Sequence, residues 1–103
     1  MPIFNFYGAS REQVSGFAQK IDEISQNLKA PTTAFSFWNV ESQLFGQSDL
    51  IKIEINWKKR GEEMKSWISK CLQNYFSEIN PKYQTIIIFN EIDDNYYKLG
   101  EKS

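Results

Sequence analysis

The sequence predicts an α+β fold of two consecutive β-α-β units, with a four-stranded mixed sheet and two helices on one face. Two observations lead to this prediction. Strand-like and helix-like patterns follow one another in the order βαββαβ. Landmarks of the first half also recur 50 positions later, as Pro31 and Pro81 do. We therefore expect one domain over residues 1–103, with pseudo-repeats at about 1–49 and 50–103, from a duplication or from two independent units of similar length.

The first half contains strand, helix and strand signals in that order. Residues 3–7 have the composition of a strand, and Ser10 with Gln13 matches the S-x-x-Q capping box of a helix start. One helix is predicted from there to Pro31, and residues 34–40 form the second strand. Apolar residues recur along the helix at steps of three and four: Val14, Phe17, Ile21, Ile24 and Leu28.

The second half repeats this order. Residues 50–57 alternate between apolar and polar side chains, which predicts a strand with two unlike faces. A helix is predicted from about 60 to 79, and residues 83–90 contain TIIIF, which is typical of an interior strand because it is apolar on both faces. The helix should turn a set of residues inward: Met64, Trp67, Ile68, Cys71, Leu72, Tyr75, Phe76 and Ile79.

Two helices cover only one face of such a sheet. Phe35, Phe37, the aromatic tail and TIIIF offer more apolar surface than two helices can bury. A partner chain would cover the remainder, so the sequence predicts a closed oligomer.

Charge and composition limit the other partners. The 103 residues carry 12 basic and 13 acidic side chains, and this net charge of −1 gives no field to attract nucleic acid or an anionic membrane. The order βαββαβ also describes RNA-recognition modules, but LIKIEINW lacks their aromatic strand motif. We expect neither nucleic acid nor membrane as a partner. With one cysteine, no signal-peptide pattern and no long apolar segment, a cytoplasmic location is expected.

The chain contains no histidine. This excludes serine–histidine and cysteine–histidine nucleophilic machinery and histidine-based metal sites, and we expect no metal and no cofactor. Acid–base chemistry near neutral pH would need another group, and an amino-terminal amine is one of the few that titrate there. Pro2 follows Met1, so it either begins a strand, where proline is tolerated, or becomes a free secondary amine once Met1 is removed.

Several motifs carry a family resemblance. PIFNFYGASREQ, followed by a helix that ends LKAPTTAF, resembles the β-α-β unit of oxalocrotonate tautomerase, and a chain of two units resembles macrophage migration inhibitory factor. Both belong to the tautomerase superfamily. The resemblance over nearly the whole chain is to a family of uncharacterised bacterial proteins in that superfamily. It rests on the initial MP, V-E-S at 40–42, W-x-x-R-G-x-E at 57–63 and N-Y-Y-x-x-G-E at 95–101.

The resemblance implies a homotrimer with an active-site pocket at each amino-terminal proline. It also implies enol–keto proton transfer on a small carbonyl compound with a carboxylate, and Pro2 would be the general base. A free amine in an aromatic pocket beside a cation would have its protonated form disfavoured.

Arg60 is the predicted carboxylate anchor. If the first and third strands pair antiparallel, as in the superfamily, Pro2 lies near Trp57 and Arg60, and Arg11 lies at the opposite end near Lys52. Trp57 is then a wall of the pocket, and the Arg60 guanidinium can bind a carboxylate with two hydrogen bonds.

This sequence departs from the oxalocrotonate tautomerase pattern at two positions. Alignment of the shared motifs puts Ala9 and Ser36 where that enzyme has substrate-binding arginines. A monoacid substrate is therefore favoured over a diacid held by two arginines.

The remaining candidates have simpler alternatives. Tyr96 and Tyr97 could donate hydroxyl groups to the substrate from a neighbouring subunit, or they could pack an interface. Glu41 is interpreted as a loop carboxylate and Cys71 as an inert core thiol. Two hypotheses therefore remain from the sequence: a tautomerase-like enzyme, and a non-catalytic homotrimer of the same fold that binds a small ligand or a partner. The substrate itself is not predicted.

Overall fold

The computed structural model describes residues 2–41, 46 and 49–91. Tyr96 and Tyr97 lie outside these residues. The elements of the described residues are β1 (Ile3–Tyr7), α1 (Arg11–Ala18), α2 (Ile21–Leu28), a 3₁₀ turn (Thr32–Ala34), β2 (Ser36–Val40), β3 (Leu50–Trp57), α3 (Glu62–Ile79) and β4 (Gln84–Glu91).

The four strands form one mixed sheet in the order β2-β1-β3-β4. Each β-α-β unit contributes a parallel pair, β1 with β2 and β3 with β4. The two units meet through β1 and β3, which are antiparallel and pair Ile3 with Asn56 and Tyr7 with Lys52. The predicted α+β class and four-stranded mixed sheet are confirmed.

The helices pack against one face of the sheet. Phe4 and Phe6 of β1 point to this face, where both contact Phe17 of α1 and Phe6 also contacts Phe76 of α3. Alternate residues of β3 join the same core. All of its fully or nearly fully buried residues are apolar: Phe4, Phe6, Val14, Phe17, Ile24, Leu28, Ile51, Ile53, Ile55, Trp57, Ile68, Leu72 and Phe76.

The helix predicted from Ser10 to Pro31 is two helices, α1 and α2. The capping box at Ser10 and Gln13 is present as predicted. At Lys20, however, the backbone N–H bonds to the Phe17 carbonyl three residues back, at 3.0 Å, and its ψ of 13° is not helical. The apolar stripe continues across this break, so periodicity alone does not reveal it.

Three expectations about burial were wrong. β4 is an edge strand rather than an interior one, and its Ile86 and Ile88 are 45% and 39% exposed. Ile79, in the last turn of α3, is also exposed instead of facing the core. Phe35 and Phe37 are both partly buried on the helix side against Phe4, so they add nothing to the open face of the sheet.

Some predicted boundaries shift by one or two residues. β2 begins at Ser36, after the 3₁₀ turn, and β4 covers Gln84–Glu91. α3 begins at Glu62, because Gly61 stands before it with φ of +87°, outside the helical region. Within the described ranges, no helix has the length and apolar character needed to cross a membrane.

Gly16 allows α1 and α3 to approach closely. The Tyr75 hydroxyl of α3 donates a hydrogen bond to the Gln13 carbonyl at 2.6 Å, and it would collide with a Cβ at position 16. The next nearest atom, Tyr75 Cζ, would lie at an ordinary 3.5 Å from that Cβ. The glycine therefore leaves room for the hydroxyl.

We expect Gly16→Ala to lower the free energy of unfolding by about 1–3 kcal/mol through this collision. Helix propensity alone predicts the opposite, a gain of up to about 1 kcal/mol. Urea denaturation measures the change, and Ser15→Ala, on the exposed side of α1, is the control. Tyr75→Phe should reduce the cost of Gly16→Ala in a double-mutant cycle, and a stabilised Gly16→Ala protein would contradict the explanation.

Candidate functional site

At one end of the sheet, four residues that lie in or directly before the four strands form a row. Ile3 pairs with Ser36 and with Asn56, so the same registers set Pro2 beside Phe35 and beside Trp57. Trp57 in turn pairs with Glu91. In strand order the row therefore reads Phe35, Pro2, Trp57 and Glu91, and we refer to these four residues as the edge row.

Pro2 is enclosed within the edge row. Its side chain is less than 2% exposed, and its carbonyl accepts a hydrogen bond from the Ser36 N–H at 3.1 Å. The neighbouring Trp57 is fully buried. The alternation of β1, in which Phe4 and Phe6 face the helices, places Pro2 on that face too. The register between β1 and β3, continued by one residue, is the arrangement from which the sequence predicts that Pro2 lies near Trp57.

Arg60 lies over Trp57. It follows the end of β3 by three residues, and its Cζ is 5.5 Å from the Trp57 ring centroid, a cation–π contact. Its Nε is buried and has no hydrogen-bond partner among the described residues. Burial lowers the pKa of the guanidinium, which stays protonated near neutral pH because arginine titrates so high.

Trp57 also has a donor without an acceptor. Its Nε1 is buried and unpaired within the described part of the chain. Leaving a buried donor unpaired costs about 1–3 kcal/mol, so such groups are rare and need an explanation. Trp57 Nε1 and Arg60 Nε are the buried side-chain donors that the described residues leave unpaired, and they belong to stacked neighbours. Both donors therefore lack an acceptor at the end of β3.

A second cation, Lys65, contacts the aromatic neighbour of Trp57. The Trp57 and Phe89 rings lie 5.2 Å apart, and Lys65 Nζ of α3 lies 5.7 Å from the Phe89 centroid. Lys65 also pairs with Glu91 at 2.6 Å and with Glu62 at 3.5 Å. The hydrogen bond to Glu91 is the main cause of the raised pKa of Lys65.

Sequence reasoning missed Glu91, Phe89 and Lys65. Glu91 and Phe89 could have been predicted, because they lie at the end of a predicted strand whose parallel partner ends at Trp57. Lys65 gave no signal of its own, since a lysine three residues after Glu62 is ordinary on a helix surface.

Arg11 lies at the other end of the sheet, as predicted. β1 leads away from Pro2 towards Tyr7, and α1 begins there with Arg11. Lys52, which pairs with Tyr7, has its Nζ 4.3 Å from the tyrosine ring and 3.5 Å from Glu54.

The two positions that lack the expected arginines supply no cation. Ala9 packs partly buried against the core. Ser36 pairs with Ile3, and its hydroxyl accepts a hydrogen bond from Trp38 Nε1 at 3.1 Å. Arg60 is therefore the arginine that the described residues place at the edge row.

Glu41 and Cys71 are remote from the edge row. Glu41 is exposed after the end of β2 and borders a shallow surface with Gly8 and Ser10. Cys71 is half-buried in a groove between α2 and α3, where burial raises the pKa of its thiol and so lowers its reactivity. Over the described ranges, no group of three or more cysteine and acidic side chains is arranged to hold a metal ion.

Comparison with protein families matches residues 1–102 to the domain of unknown function DUF1904. The chain belongs to the DUF1904 family. A solved structure of this domain from Sebaldella termitidis is 29% identical, covers 98% of each chain and superposes with a TM-score of 0.87. The curated proteins contain no match.

More distant solved structures share the tautomerase/MIF fold. Macrophage migration inhibitory factor from Oncomelania hupensis has a TM-score of 0.75 at 10% identity, over 99% of this chain and 81% of that one. The wild-type fused 4-OT named F6, an asymmetric trimer, has a TM-score of 0.69 at 14% identity, over 98% and 94%. The predicted superfamily resemblance is confirmed at the level of fold.

Because Arg60 Nε is desolvated without a partner, we expect Arg60→Met to fold with a free energy of unfolding equal to the wild type or higher by up to about 2 kcal/mol. Methionine keeps the apolar contact with Trp57. Thermal or urea unfolding measures the difference, with Arg11→Met at the exposed arginine as the control, which should stay within about 0.5 kcal/mol. Destabilisation of Arg60→Met by more than about 1 kcal/mol would mean that Arg60 serves the fold.

Proposed function

We propose that this protein is a tautomerase-like enzyme that transfers a proton between carbon and oxygen of a small carbonyl compound bearing a carboxylate. The observation that carries the proposal is the pair of buried, unpaired donors, Trp57 Nε1 and Arg60 Nε, beside Pro2. A substrate carboxylate would supply the acceptors that the described residues lack. The shared fold with proteins such as macrophage migration inhibitory factor supports the proposal at the level of architecture only.

Pro2 would be the base in this reaction. Removal of Met1 leaves a secondary amine at the centre of the edge row. Burial of Pro2 and the positive charge of Arg60, which lies over the Trp57 ring, would both disfavour the protonated amine and keep the lone pair available near neutral pH. The amine takes the proton from the carbon next to the carbonyl, the C–H electron pair forms the C=C bond, and the C=O π pair moves to the oxygen. The protonated amine then gives its proton to that oxygen, which completes the enol and restores the free base. Return of the proton to carbon reverses these steps.

Arg60 and Trp57 would hold the substrate during this transfer. Arg60 Nε and Trp57 Nε1 each donate to a carboxylate oxygen, and the guanidinium charge also stabilises the enolate as it develops. Ala9 and Ser36 provide no second cation, which favours a monoacid as substrate.

A homotrimer would complete the site. The sheet face opposite the helices exposes Trp38, Ile86 and Ile88, and Trp38 is 58% exposed. Burial of this surface between subunits would favour association, and the fused 4-OT named F6 is a trimer of this fold. In such an assembly Tyr96 or Tyr97 from a neighbouring subunit would donate a hydroxyl to the substrate oxygen.

A second function is favoured by the burial of Pro2. A ring less than 2% exposed gives a substrate no access in the isolated chain, and an amide at Pro2, with Met1 retained, has no basicity. The protein would then be a non-catalytic homotrimer that binds a small carboxylate or an interaction partner.

Intact-mass measurement of protein made without an amino-terminal tag comes first, and we expect the mass of the chain that begins at Pro2. Enol–keto conversion of phenylpyruvate should then lose about two or more orders of magnitude in kcat/KM in Pro2→Ala, because the base is removed. The wild-type rate should fall at acidic pH as the amine is protonated. Equal rates in Pro2→Ala and wild type, or complete retention of Met1, would favour the non-catalytic binder.

Trp57→Phe tests the indole donor separately from the aromatic ring. We expect KM for phenylpyruvate to rise about tenfold, the effect of one lost hydrogen bond to a charged group. Trp67→Phe, on α3 and away from the edge row, is the matched control. An unchanged KM in Trp57→Phe would show that Nε1 does not contact the carboxylate.

A further inference from the structure

The two cations at the edge row differ in their pairing. Lys65 contacts two carboxylates, Glu91 at 2.6 Å and Glu62 at 3.5 Å. Arg60 has a buried Nε with no partner among the described residues. Arginine, with its planar fork of donors, is the better match for a carboxylate. The pairing of Glu91 with the lysine instead of the arginine therefore needs an explanation.

Glu91 pairs with Lys65 and is the strand neighbour of the tryptophan that Arg60 contacts. It pairs with Trp57 in the sheet, and Arg60 lies over the ring of that same tryptophan. Its contact with Lys65 places its carboxylate towards α3, on the helix side of the sheet. Lys65 lies over the Phe89 ring, Arg60 lies over the Trp57 ring, and the two ring centroids are 5.2 Å apart.

The position of Lys65 on α3 favours its ion pair with Glu91. It projects from the first turns of α3, where Glu62 stands one turn earlier and provides a second carboxylate. The hydrogen bond with Glu91 raises the pKa of Lys65, which shows that the contact favours the charged ammonium.

We propose that Lys65 is a positioning residue that holds Glu91 away from Arg60 and so leaves the arginine free to bind an external carboxylate. Without Lys65, the Glu91 side chain turns towards Trp57 and pairs with Arg60. The arginine then has an internal counter-ion, and an incoming carboxylate must displace it. The effect on substrate binding rests on the function proposed above. The effect of Lys65 on which cation Glu91 pairs with does not depend on that function.

Lys65→Met removes the ammonium and keeps a good helix former of similar length. Lys70→Met, a lysine exposed on the same helix, is the matched control. Lys65→Met combined with Glu91→Gln removes the charge that would move to Arg60, so it should restore the wild-type behaviour if Lys65 acts through Glu91.

The state of Arg60 can be measured directly by NMR. The chain has two arginines, so the Nε–H region of a ¹⁵N spectrum contains two side-chain signals, and Arg11→Lys assigns them. We expect the Arg60 signal to shift and to exchange more slowly with solvent in Lys65→Met, to return in the double variant, and to stay unchanged in Lys70→Met. An Arg60 signal that does not move in Lys65→Met overturns the inference, whatever the activity.

Steady-state kinetics test the consequence for the substrate. In Lys65→Met we expect KM for phenylpyruvate to rise about tenfold with kcat little changed, and the double variant to recover. KM for the uncharged methyl ester of phenylpyruvate should not change in any variant. A KM for phenylpyruvate that stays constant while the NMR signal moves overturns the role in substrate binding.

The two proposals can fail separately. If the wild type neither converts nor binds phenylpyruvate but the Arg60 signal moves as expected, the proposed function is wrong and the role of Lys65 in separating the charges stands. If the wild type is active and the Arg60 signal is unaffected in Lys65→Met, the proposed function stands and the role of Lys65 is wrong.

Discussion

The antiparallel register between β1 and β3 is the constraint on which the candidate site depends. Ile3, the first residue of β1, pairs with Asn56, near the end of β3. The beginning of the first β-α-β unit therefore lies beside the end of the first strand of the second unit. Pro2 thereby lies beside Trp57, and Arg60 follows within three residues. A slip of one residue would turn every side chain of β1 to the opposite face, and Phe4 and Phe6 would leave the core. The residues that hold the fold together therefore also fix the position of the candidate base.

At the edge row, well-packed aromatic rings lie next to buried hydrogen-bond donors that have no acceptor among the described residues. Trp57 and Phe89 pack together as core residues do, and each carries a cation over its ring. Yet Trp57 Nε1 and Arg60 Nε are buried without acceptors in the described chain. A core optimised for stability alone would not keep two such donors together, and functional sites are where proteins retain features of this kind.

Much of the fold and part of the site could be predicted from the sequence. Strong period-two alternation predicted β3 at the bounds observed, and the antiparallel pairing expected from the superfamily resemblance put Arg60 and Trp57 near Pro2. The break in the first helix at Lys20 was missed because its apolar stripe runs on across it. The edge position of β4 was missed because apolar composition does not specify strand order. The ion pair between Lys65 and Glu91 was missed because the two residues are distant in sequence and come together only in the folded chain.

The central claim is that Arg60 and Trp57 together receive one carboxylate beside Pro2. A titration of the wild type with phenylpyruvate, followed in a ¹⁵N spectrum of side-chain N–H groups, tests it most directly. We expect the Trp57 indole signal and the Arg60 Nε signal to move together with one dissociation constant, while those of Trp38, Trp67 and Arg11 stay in place. Movement of the other signals alone, or of none, would contradict it.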